Sequence, residues 1–88
     1  MSSLQLVRDL LTFTRNATAD RDARGAKRYL SRLYDVLIDE GLEIDPDGFA
    51  IYAVEQAQET VLAILDGNPE WDEMPAAIDD IHDEIDWA

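Results

Sequence analysis

The sequence predicts an all-α fold, a compact antiparallel bundle of four helices, with three long helices plus a short C-terminal one as the alternative form of that bundle. Three observations carry this. Apolar side chains recur at three- and four-residue intervals nearly end to end, the period of helices that each bury one face. No segment alternates apolar and polar residues for long enough to make a strand. Cap and breaker residues divide the chain into four stretches joined by two to six residues, and connections that short make neighbouring helices antiparallel.

The first helix is expected from Ser3 to about Asn16, capped by Ser2 or Ser3, with Leu4, Val7 and Leu11 on one stripe and Leu6, Leu10 and Phe13 on the next. Its end is the weakest boundary, because Asn16-Ala17-Thr18-Ala19-Asp20 holds cap residues but no Gly or Pro to force a break. A second helix then runs to about Glu40, burying Ala26, Tyr29, Leu30, Leu33, Val36 and Leu37, and Gly41 stops it.

At the next junction Asp45 reads as a cap, Pro46 as the first helical residue and Ile44 as a staple onto Phe49. The third helix is expected from Pro46 to about Asp66, burying Phe49, Ala53, Ala57, Val61, Ile64 and Leu65, and Gly67-Asn68-Pro69 ends it with a left-handed cap. After a short turn between Pro69 and Met74, Pro75 opens a last helix on the narrow seam Trp71, Met74, Ile78, Ile81, Ile85.

The 88 residues are expected to form one domain, and a 47 % hydrophobic content gives it a core without metal or crosslink. There is no Cys, hence no disulfide, thiolate metal site or cysteine nucleophile. The opening residues lack the basic and apolar regions of an export signal, and no apolar run is long enough to span a bilayer, so a cytoplasmic protein without membrane association is expected.

The net charge is −13, and its distribution says more than its size. Through Ile44 the seven basic residues (Arg8, Arg15, Arg21, Arg24, Lys27, Arg28, Arg32) balance seven acids; from Asp45 onward there are thirteen acids and no Lys or Arg. A surface without cations cannot neutralise phosphates, which argues against direct nucleic-acid binding there. Solvation in high salt is one reading of such acidity, supported by a single Lys against six Arg. Confinement to one half favours a functional surface.

Candidate chemistry is sparse. Asp45-Pro46-Asp47-Gly48 resembles a calcium loop only until Gly48 is set at position six, which puts Val54 where a bidentate Glu is required. His82, the single histidine, has Asp79, Asp83 and Asp86 nearby at helical spacing, but a metal would need further carboxylates from facing helices. The hydroxyl residues lie far in sequence from His82, and the four glycines are isolated rather than gathered in a phosphate loop. No catalytic residue, metal or cofactor is expected, and the protein is read as a non-enzyme.

Two features go beyond what a bundle requires. Arg21, Arg24, Arg28 and Arg32 form a ridge on the second helix that continues into Asp35 and Asp39, cations first and anions last, against the helix dipole. Compensation from the acidic last helix of the same chain is the first expectation; a twofold homodimer with antiparallel ridges is the second. Trp87 would lie opposite Ile78 among acids if the last helix persisted that far, and would fold onto the core if it frayed.

The expected role is therefore an adaptor that binds a protein partner with a basic surface. Glu55, Glu59, Asp72, Glu73, Asp79, Asp80 and Asp83 would steer it, with Trp71 or Trp87 as apolar contact. The alternative is an inhibitor of the kind phages and mobile elements encode, which imitates nucleic-acid charge and blocks a DNA- or RNA-binding protein.

Overall fold

A computed structural model describes residues 3–87, the side chain of Leu42 excepted. Four helices form the bundle: α1 (Ser3–Ala19), α2 (Ala23–Ile44), α3 (Phe49–Leu65) and α4 (Met74–Glu84), the last preceded by a 3-10 turn at Trp71–Glu73. α1 packs on α2, α2 on α3, α3 on α4, and α4 returns to α1, so the helices close a ring whose diagonal pairs scarcely meet. The longest dimension, 36 Å, is close to the roughly 33 Å that the 22 residues of α2 should span. No described helix is long and apolar enough to cross a membrane.

The core follows from a division of sizes. α2 and α4 contribute Leu30, Leu33, Leu37, Met74, Ile78 and Ile81, all fully buried. α3 answers with small residues, Ala50, Ala53, Val54, Ala57 and Val61, which let the bulkier faces of its two neighbours approach. Val7, Leu10 and Leu11 of α1 complete the interior. The predicted seam of α4 holds, with Met74, Ile78, Ile81 and Ile85 buried and Trp71 half-buried at its head.

Several expected boundaries move, each for a physical reason. α1 runs past Asn16 to Ala19 because Ala17 and Thr18 are buried, and the Thr18 hydroxyl donates to the Thr14 carbonyl at 2.8 Å. It stops at Arg21, in the left-handed region at φ 57°. There the Asp22 amide donates to Ala17 O at 2.8 Å and the Arg21 amide to Thr18 O at 3.1 Å, a Schellman stop built on a residue other than Gly. Asp22 then caps α2 by accepting from the Gly25 amide at 2.9 Å. The cap expected from Ser2 lies outside the described residues, and Ser3 is already helical.

Gly41 does not stop α2. The helix continues through it to Ile44, which is buried, and the Asp45 amide closes onto Gly41 O at 2.7 Å. Burial of Ile44 offsets the roughly 1 kcal/mol that Gly costs within a helix.

α3 likewise starts three residues later than expected. Asp45 is its cap at a distance: the buried carboxylate accepts from the Ala50 amide at 2.9 Å and the Ile51 amide at 3.0 Å. Pro46 and Asp47 form a turn that Gly48 closes at φ 76°, a conformation open to Gly at little cost. The buried row of α3 runs through Ala50, Ala53, Val54, Ala57 and Val61 and leaves Phe49 outside it. The staple between Ile44 and Phe49 therefore does not form, and Phe49 is 58 % exposed. Leu65 is exposed and Ile64 half-buried, also against expectation. The stop at Gly67, φ 104°, forms as predicted, with the Asn68 amide on Ala63 O at 2.9 Å.

Candidate functional site

The outward edges of α3 and α4 border a groove of about 600 Å³. One wall is Phe49, Tyr52, Gln56 and Thr60 of α3, spaced three, four and four apart and so stacked in one row beside the buried row. The other wall is Glu73, Asp80 and Glu84, and Ala53, Ala76 and Ala77 complete the lining. Phe49 and Tyr52 are 58 % and 61 % exposed at the rim. Two neighbouring exposed aromatics contribute little to the bundle and much to a partner that covers them.

Glu73, Asp80 and Glu84 make no ion pair among the described residues. Asp80 and Glu84, four residues apart, stack on one side of α4, and Glu73 of the preceding 3-10 turn lines the same wall. An elongated ligand lying in the groove would meet aromatic surface on one flank and negative charge on the other.

The sequence-predicted site residues divide between several places. Glu73 and Asp80 stand in the groove wall. Glu55 and Glu59 are exposed on α3, three and seven residues beyond Tyr52, on the shoulder outside the groove. Asp72 edges a separate shallow hollow with Thr18, Arg21 and Trp71. Asp79 faces α1, where its carboxylate accepts from Arg15 Nη2 at 2.6 Å. Asp83 lies 3.5 Å from His82 Nδ1. The acids of α4 thus form two rows, one toward the groove and one away from it.

Neither tryptophan is a free anchor. Trp71 is half-buried with the Arg21 guanidinium 5.3 Å from its ring centre. For Trp87 the exposed position is overturned: α4 ends at Glu84, Ile85 turns extended to bury itself, and the Asp86 amide donates to Ile44 O at 2.9 Å. Trp87 folds back, Nε1 donating to the His82 carbonyl at 2.9 Å, with the Arg8 guanidinium 5.2 Å from its ring centre.

Compensation of the α2 ridge by α4 is overturned as well. α4 is diagonal to α2 across the bundle, and none of Arg24, Arg28, Arg32, Asp35 and Asp39 makes an ion pair among the described residues. Arg21 leaves the ridge, since its turn directs it to Trp71.

Sequence reasoning missed Phe49, Tyr52 and Glu84. Tyr52 falls outside the apolar row of α3 even in the sequence, which was the available signal; Phe49 was hidden by the apparent staple. No group of three or more potential metal-binding side chains is placed together among the described residues. No family model matches the chain, and neither a characterised protein nor a solved structure matches it significantly.

Proposed function

We propose that this protein is a non-enzymatic binding module whose α3–α4 groove takes a basic, amphipathic segment of another protein. The observation that carries the reading is the pairing of exposed Phe49 and Tyr52 with the row Glu73, Asp80, Glu84 across one channel. Apolar residues of the segment would cover the two rings, and its Lys or Arg residues would meet carboxylates that make no ion pair among the described residues. Aromatic anchors supply the affinity in such contacts; charge supplies rate and selectivity.

Imitation of nucleic acid calls for a regular run of unpaired carboxylates. The engagement of Asp79 by Arg15 and the split of the α4 acids into two rows break that run, which ranks mimicry second.

The test is calorimetric titration with a designed Leu- and Lys-rich amphipathic helical peptide, against the same composition scrambled. The patterned peptide should bind, and Phe49→Ala with Tyr52→Ala should weaken it by about tenfold or more. Equal binding of both peptides, or indifference to the aromatic substitutions, would refute the groove. Displacement by duplex DNA of a captured DNA-binding protein would instead favour mimicry.

A further inference from the structure

We infer that the outer face of α2 is a twofold interface with a second copy of this chain, in which Arg24 and Arg28 of one protomer meet Asp39 and Asp35 of its partner. The register follows from the sequence of the exposed row. Arg28 lies three residues before Ser31 and Asp35 three after Arg32; Arg24 lies seven before Ser31 and Asp39 seven after Arg32. A twofold axis at Ser31-Arg32 therefore sets Arg24 and Arg28 of each protomer against Asp39 and Asp35 of the other, four pairs in all, as an isologous antiparallel contact requires. Ser31, exposed and small, stands at the crossing point and lets the helix axes come close.

Three further observations point to a second copy as the occupant. Within one protomer the charges of this row make no ion pair among the described residues, because the acids of α4 lie diagonally across the bundle. Each protomer carries −13 overall, so two copies repel unless they meet on a neutral face. α2 is the neutral helix, Arg24, Lys27, Arg28 and Arg32 balancing Asp35, Asp39, Glu40 and Glu43 along its length. Finally, the order of charge opposes the dipole of α2, and an antiparallel copy places the opposite charge beside each misplaced end.

Two side chains add to the contact. Ile38, 55 % exposed on the same side of α2, falls at the level of the partner's Gly25, one residue from the partner's Arg24, whose aliphatic stem it can cover. Arg28 already rests with its guanidinium 5.6 Å from the Tyr29 ring centre, which limits its freedom before pairing. The α3–α4 groove stays open in this arrangement, since α4 is remote from α2.

The experiment is a charge-swap rescue read by light scattering at roughly 0.15 M salt, where charges beyond about 8 Å are screened. The native chain should weigh twice 9.9 kDa. Arg24→Glu with Arg28→Glu makes the four pairing positions acidic, and Asp35→Arg with Asp39→Arg makes them basic; each variant alone should be monomeric. All four positions are exposed, so both variants should keep native helicity by circular dichroism. An equimolar mixture should regain the double mass, because the two rows are complementary at all four pairs. A monomeric native chain, variants that stay dimeric, or a mixture that stays monomeric would each overturn the inference.

Discussion

The first hairpin, α1 with α2, and the second, α3 with α4, bury similar apolar faces yet carry opposite kinds of surface. Through Ile44, seven cations stand against seven acids, and the arginines there are put to local use: Arg8 lies over Trp87, Arg21 over Trp71, and Arg15 reaches Asp79. The second hairpin has no Lys or Arg, and the acids of the groove make no ion pair among the described residues. Burial sets the fold in both halves; charge distinguishes what each half can meet. A neutral, self-complementary helix suits a copy of itself, whereas an acidic groove with two bare aromatic rings suits something basic and amphipathic.

The largest effect is expected at Asp45, a buried acid of the second half whose carboxylate caps α3. Asp45→Ala leaves the Ala50 and Ile51 amides without their acceptor and should lower the unfolding free energy by about 2 kcal/mol. Glu55→Ala, on the exposed shoulder, should change it by no more than about 0.5 kcal/mol. Urea denaturation of the two variants measures both; equal losses would mean that the acids past Ile44 are not divided into structural and surface roles.

A smaller effect is expected at the turn between α1 and α2. Arg21 holds φ 57°, so Arg21→Gly should be more stable than Arg21→Ala by about 1 kcal/mol, both variants having lost the contact with Trp71. Thermal melts of the pair read the difference, and Ala equal to Gly would deny the left-handed stop.

Smallest is the bridge between the hairpins. Arg15 and Asp79 are both largely exposed, and a double-mutant cycle should give a coupling of up to about 1 kcal/mol at low salt that fades as salt rises. A coupling that survives high salt would show that the pair is more than a surface contact.

The buried faces of α2 and α4 were legible because Leu and Ile repeat at helical intervals without interruption, and the stop at Gly67 was legible because Gly is the residue such a stop favours. The stop at Arg21 was not, since nothing in an Arg side chain announces a positive φ. The start of α3 was misplaced because Asp45-Pro46 has the composition of an ordinary capped start, while Asp45 in fact reaches over Pro46, Asp47 and Gly48 to cap from farther back. Phe49 lies at the groove rim because the buried row of α3 runs through Ala50, Ala53, Val54, Ala57 and Val61. The acidity of the site was evident from composition, but its direction was not: Asp79, Asp80 and Asp83 are neighbours in sequence that point different ways, and only the packing of α4 between α1 and α3 sorts them.

The most direct measurement compares two variants of equal charge change by titration with the patterned basic peptide: Asp80→Arg with Glu84→Arg in the groove, and Glu55→Arg with Glu59→Arg on the shoulder. The groove variant should bind about tenfold more weakly than the native chain, or worse, with the shoulder variant within about threefold of it. Equal weakening by both would show that overall charge, and not the α3–α4 groove, holds the ligand.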